Sequence, residues 1–208
     1  MLRKNRIVSC GVALGLLTAA GLAIAEPAQP EMQLPPGWSE ADMQACIIAG
    51  TPGEMQAFLA KGVGVWHGKG SMWMAPGTEP MTVEMTSTVT SIMDGRYTKC
   101  EIDANWPGMG PFTGSGVYGY DNTTETFVAS WIDNHSTGIM NGEGKLSADK
   151  KTLTWTYHYT CPITQKPTTM REVETINSPT SRTMEMYAID PKSGKEYMMA
   201  RYELTKKS

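Results

Sequence analysis

The side chains whose types and spacing could act together are Trp131, Asp133, Arg171, Glu185 and Tyr187. Trp131 and Asp133 are two residues apart, so on a β-strand they share a face. Arg171 and Val173 are related in the same way. If the hairpin that follows turns about Pro179, Arg171 pairs with Tyr187 and Val173 with Glu185, which sets Arg171 diagonal to Glu185. Lining a cavity, the five would form a polar cluster that orients a ligand. Elsewhere they would form a structural ion pair, buried or on an outer wall. Asp133, Glu143 and Glu185 also offer carboxylates for acid–base work, and an Asp133/Arg171/Glu185 cluster inside a barrel would make the protein a hydrolase or isomerase. That chemistry needs a side chain within hydrogen-bond reach of the reacting proton, and no spacing here brings two carboxylates together. The sequence therefore names no catalytic residue, and a slip of one residue in register would turn the whole face over.

Metal chemistry is thinly supported. His67, His135 and His158 are not spaced as ligands, and the cysteines show no zinc pattern. Methionine is abundant, 16 against three phenylalanines, and soft thioethers select Cu(I). Met72 and Met74 share a strand face and are the candidate pair for a copper-handling protein. The alternative is that methionine fills a core short of phenylalanine. No cofactor is implied. Three cysteines follow the N-terminal segment: Cys46, Cys100 and Cys161. Cys46 on a short helix and Cys161 at a strand end form the expected disulfide, with Cys100 left over.

These residues must be positioned by strands. Ten runs rich in Thr, Tyr, Trp, Val and Met cover 63–74, 81–93, 96–105, 112–120, 126–133, 137–146, 152–160, 168–177, 182–189 and 195–205. Turn residues separate them, among them Asp94-Gly95, Asp121-Asn122, Asp149-Lys150 and Ser193-Gly194. Two short helices precede the runs. Ser39 caps the first, and Thr51-Pro52-Gly53-Glu54 opens the second with Thr51 as N-cap. The expected fold is all-β: an antiparallel up-and-down barrel of about ten strands, with the two helices covering one end. Closure removes the exposed edges that ten hairpin-linked strands would otherwise leave. A two-sheet sandwich is the alternative.

The N-terminus has a separate character. Arg3, Lys4 and Arg6 precede an apolar run from Ile7 to Ile24, and Ala23-Ile24-Ala25 is an A-x-A site. Residues 1–25 read as a signal peptide, 26–37 as a flexible Pro-rich leader and 38–208 as a single barrel domain. The expected location is the periplasm, or outside the cell, with no membrane anchor after cleavage. Cleavage removes three basic residues and takes the net charge from −3 to −6. That disfavours nucleic acid as a partner; the oligomeric state stays open.

Gly64-Val65-Trp66-His67-Gly68-Lys69-Gly70 opens the first strand behind a short helix. This G-x-W resembles the calycin barrels, lipocalins and fatty-acid-binding proteins. The resemblance implies that Gly64 and Trp66 close one barrel end, with Trp66 beneath a cation from the last strand, here Arg201. The longer pattern also resembles nitrobindin-type haem barrels, but the last strand lacks the histidine they require. A longer, collinear resemblance runs from Thr51 to Lys206. TPGEMQAFLAKGVGVWHGKGSMWM, GYDN (119–122), WIDN (131–134), STGIM (136–140), MREV (170–173), MEMY (184–187) and GKEYMM (194–199) are similar to the bacterial domain-of-unknown-function 1579 family. Gln56 stands where that family often has histidine, and NWPGMGPF replaces a GDMMGMPF-like segment. The resemblance implies a fold and no reaction. The expected function is a non-enzymatic, exported, lipocalin-like barrel that binds a small apolar or amphipathic ligand.

Overall fold

The computed structural model describes residues 34–207. The expected signal peptide, and residues 26–33 of the expected leader, lie outside them. Leu34–Gly37 carry a turn, and Trp38–Ser208 form a separate unit.

Thr-, Val- and aromatic-rich segments form long strands because branched and planar side chains fit a pleated surface. The strands are β1 (Gly64–Met72), β2 (Met81–Ile92), β3 (Tyr97–Trp106), β4 (Gly110–Asp121) and β5 (Thr126–Asp133), followed by β6 (Met140–Leu146), β7 (Thr152–Thr160), β8 (Pro167–Ser178), β9 (Ser181–Ile189) and β10 (Glu196–Lys206). Each pairs antiparallel with its sequence neighbours, and β1 pairs with β10, from Trp66↔Lys206 to Met72↔Ala200. The result is the expected ten-strand closed barrel.

The interior is made by alternation, interrupted at the β10 bulge between Met198 and Ala200. Trp66, Val83, Phe127, Leu153, Trp155 and Tyr157 are each less than 4 % exposed. Their bulk is accommodated by glycines on the adjoining strand. A Cβ at Gly114 would stand 2.1 Å from Trp131 Cζ2, one at Gly142 would stand 2.7 Å from the Tyr157 ring, and one at Gly144 would stand 2.9 Å from the Trp155 ring. Each large ring lies flat over a cross-strand neighbour that has no side chain.

The helices are α1 (Glu40–Gly50) and α2 (Glu54–Ala60). The closing element is α2, whose Phe58 is buried while Met55 and Leu59 pack beside it on the aromatic core. Buried Gln56 fixes its position: Nε2 donates to Tyr120 O (2.9 Å) and Asn122 Oδ1 (3.0 Å), and Oε1 accepts from Gly53 N (2.7 Å). The N-cap of α2 is therefore Gly53, and Thr51 instead terminates α1, donating from Oγ1 to Ile47 O (2.6 Å). α1 has no buried residue. Ser39 caps it, as expected, and Asn122 Nδ2 donates to the carbonyls of Ile48 and Thr51 at its far end. One hairpin residue, Asn122, thus anchors both helices to the β4–β5 turn.

The aromatic-over-glycine pairing makes a prediction. Gly114→Ala forces Trp131 or the backbone to move, and should destabilise the fold by about 1–3 kcal/mol. Urea unfolding measures this; an unchanged midpoint would show that Trp131 is loosely held.

Candidate functional site

Eight strands give a barrel that side chains can fill, and a larger number leaves more space. Here the space left is a cavity of about 390 Å³, in the range of small-molecule pockets. Its two ends differ chemically. Away from α2 the walls are Met72, Trp106, Phe112, Met140, Met170 and Met199. Toward α2 they are Ser87, Thr98, Cys100, Tyr118, Glu174 and Arg182. Trp106 stacks on Phe112 with centroids 4.1 Å apart, and His135 sits edge-on to both. The mouth is mainly apolar, with Asp133 and Tyr197 at its rim, and most of the polar side chains lie deeper, among Leu59, Trp66, Leu153 and Leu204. Thioethers along the walls make the chamber deformable.

Glu172 sits between these zones. It pairs across the sheet with Trp155 on β7 and Met186 on β9. It lies wholly inside the barrel, yet keeps accessible surface because that surface faces the cavity. Burial, and then the neighbouring Glu174, push its carboxyl up to about 8. No hydrogen bond reaches it from the described residues. Glu174, by contrast, is ion-paired with Arg182. Burial also raises the Tyr118 and Tyr157 phenols, whose oxygens stand 3.5 Å apart, and pushes the Cys100 thiol up to about 11. Cys100 Sγ lies 3.2 Å from Ser87 Oγ, and the raised thiol is a poor nucleophile at neutral pH.

The five residues singled out from sequence are divided between the two sides of the wall. Trp131 and Asp133 face inward: Trp131 Nε1 donates to Asp133 Oδ2 (3.1 Å), while Asp133 Oδ1 accepts from His135 N (2.9 Å). Arg171, Glu185 and Tyr187 face outward. Their pairing is the expected one, Arg171↔Tyr187 and Val173↔Glu185, but the face is the opposite one. On the outer wall Arg171 forks onto Glu196 (2.7 and 3.0 Å) and covers the Tyr187 ring at 3.9 Å. Tyr187 Oη donates to Glu185, which also accepts from Arg201 (2.7 Å). Half-exposed pairs of this kind contribute about 0.2–1 kcal/mol. An Asp133/Arg171/Glu185 reaction centre therefore has no geometric basis. The inward residues of the same hairpin are Glu172, Glu174, Arg182, Met184 and Met186, and their signal was their shared parity with Met170 and Ile176.

Closure at the α2 end also differs from expectation. Trp66 is 2 % exposed and its Nε1 donates to Gly62 O (2.8 Å). The cations over its ring are Arg182 of β9 (4.6 Å) and Lys206 of β10 (5.5 Å). Arg201 points outward to Glu185 and Glu203, because Ala200, Tyr202 and Leu204 take the inward positions of its strand. Gly64 adopts φ +137°, and a Cβ there would meet Lys206 Cε at 2.4 Å. Glycine at this position lets Lys206 reach Trp66.

Met72 is buried in the wall, whereas Met74 is half-exposed beyond the end of β1. Both line the mouth among other methionines. Cys46 and Cys161 do not form the expected disulfide. Cys46 is exposed on α1, whereas Cys161 is buried at the end of β7, away from the helices, and both thiols are free.

The family model for a protein of unknown function, DUF1579, matches residues 51–206, which span α2 and the whole barrel. The chain belongs to the DUF1579 family. No curated protein matches. Among solved structures, this DUF1579 barrel is similar to an S-type phycobiliprotein lyase, CPES from Guillardia theta. The TM-score is 0.53 at 11 % identity, covering 78 % of this chain and 97 % of that one. It is also similar to Rv2717c from M. tuberculosis, with TM-score 0.56 at 10 % identity, covering 76 % of this chain and 100 % of that one. At these identities the likeness is one of fold.

The buried carboxyl fixes the sign of a pH effect. Glu172 holds its proton more tightly when folded, about 8, than at the ordinary carboxyl value of 4.5. Its contribution to stability is complete below 4.5 and is lost as pH rises toward 8. The melting temperature should fall across that window, and Glu172→Gln should flatten the decline. Superimposable pH profiles for the two proteins would show that Glu172 does not titrate there.

Proposed function

We propose that this barrel is an exported, non-enzymatic binding protein for a small amphipathic molecule. The ligand enters with its polar end toward Glu172 and leaves its apolar part between the methionines and aromatics of the mouth. The observation that carries the reading is the polarity of the cavity: apolar at Met140, Met170 and Met199, polar at Glu172, Tyr118 and Cys100. Pockets that combine apolar walls with a few converging polar groups orient ligands in this way. That a barrel of this fold occurs in a phycobiliprotein lyase supports the reading. Export rests on the basic, apolar and A-x-A segments that end at Ala25.

The route in is the end opposite α2. Four of the loops there carry an exposed apolar side chain: Met74, Met109, Ile139 and Ile163. Their exposure offers an apolar ligand a landing surface at that end.

Two measurements test the proposal. An environment-sensitive apolar fluorophore should brighten on binding, and Ala104→Trp, which fills the cavity from its wall, should abolish the signal while the protein stays folded. Equal binding by the variant would place the fluorophore on the outer surface and overturn the reading. N-terminal sequencing of the protein from the periplasmic fraction should begin at Glu26; a protein that keeps Met1 and stays in the cytoplasm would refute export.

A further inference from the structure

We propose that the ligand's polar end is an organic cation, a primary or substituted ammonium on an apolar body, and that Glu172 is its partner. The proposal rests on the binding function argued above and names the class of ligand. Three observations lead to it. The ionisable carboxylates lining the cavity are Asp133, Glu172 and Glu174, whereas Arg182 is the cation among the described lining residues. Arg182 is already committed, paired with Glu174 and stacked on Trp66. Asp133 is engaged by Trp131 Nε1 and by the backbone N–H of His135. The carboxyl left without a donor is Glu172, and its surface opens into the cavity.

The groups that face Glu172 suit a cation and not an anion. Glu174 on the same strand, Tyr157 on β7, Tyr118 on β4 and Cys100 on β3 add no positive charge. Arg182 on β9 is ion-paired through its Nη1 with Glu174 and covered by the Trp66 ring, while its buried Nε–H has no acceptor among the described residues. Trp155 pairs directly across from Glu172, Tyr118 lies 5.3 Å from the Trp155 ring, and Tyr157 lies 6.2 Å from it. Aromatic rings around a desolvated ammonium add cation–π attraction. A carboxylate ligand would instead meet unpaired negative charge in a poorly solvated chamber.

The protonation is balanced as follows. In the empty barrel at neutral pH, Glu172 holds a proton because nothing compensates its charge. A ligand arriving as an ammonium forms an ion pair with the Glu172 carboxylate, and the carboxyl proton passes to solvent. At neutral pH, below the free carboxyl's value of about 8, binding therefore releases about one proton per ammonium. An alcohol of the same shape releases none.

The test compares dodecylammonium, dodecanol and dodecanoate, three probes with one chain and different heads. Calorimetry at neutral pH, repeated in phosphate and in Tris, gives affinity and proton release together. Dodecylammonium should bind roughly tenfold more tightly than dodecanol, with dodecanoate weakest and proton release confined to the ammonium. Glu172→Gln should bring the ammonium down to the affinity of dodecanol and abolish its proton release, while an unchanged far-ultraviolet circular dichroism spectrum at neutral pH reports that the variant is folded. If dodecanol binds but dodecanoate equals or exceeds the ammonium, or binding of the ammonium releases no proton, the cation assignment is overturned while the binding function stands. If none of the three binds, both fail.

Discussion

The structure depends on the pairing of β1 with β10. Without it the ten strands are an open ribbon with two unsatisfied edges and no interior. With it, every strand has two partners, and alternation separates an inner from an outer surface around the whole circumference. The seam runs through Gly68 and Gly70. A Cβ at Gly70 would lie 1.9 Å from Arg201 O, closer than any carbon can stand. The β10 bulge between Met198 and Ala200 lies beside the upper end of this seam. Glycines in the first strand are thus a condition of closure, and closure is the condition for a cavity.

Closure alone does not say how the interior is filled. The large rings over Gly114, Gly142 and Gly144 bring bulk to one side of the barrel, where Phe58, Phe127, Trp155, Tyr157 and Trp131 form a continuous core that runs from α2 toward the mouth. A second cluster gathers Trp66, Met72, Val83, Met85, Tyr202 and Leu204 at the seam. The cavity lies between the two. Its polar floor is made affordable by partners: Arg182 satisfies Glu174, and the Trp66 ring covers Arg182. Glu172 has no partner among the described residues, and the buried Arg182 Nε lacks one as well; an unpartnered buried carboxyl is where burial, charge and function meet most closely.

Much of the architecture was legible in the sequence. Turn residues at Asp94-Gly95, Asp149-Lys150 and Ser193-Gly194 marked the strand ends, and the number of strands without a long crossover pointed to a barrel. The register of the β8–β9 hairpin followed from Pro179. Its facing did not, because both parities of that hairpin carry charge: Arg171 and Glu185 on one, Glu172, Glu174 and Arg182 on the other. Hydrophobic alternation is the signal that separates inside from outside, and here it is blurred by three ionisable residues in the interior. The same parity argument explains why Arg182, not Arg201, lies over Trp66. The Cys46–Cys161 pairing fails on topology: in an up-and-down barrel an odd-numbered strand ends at the rim opposite the one where β1 begins, so Cys161, just past β7, lies away from α1.

Everything proposed for this barrel requires that the Glu172 carboxyl, without a compensating partner, faces the cavity. Infrared difference spectroscopy of the empty protein against Glu172→Gln tests it directly. At neutral pH the wild type should show the carbonyl stretch of a protonated carboxylic acid that the variant lacks, and this band should fade as pH passes about 8. A wild-type spectrum with only ionised carboxylate at neutral pH would contradict the account, because it would mean that water or a hidden cation already serves Glu172.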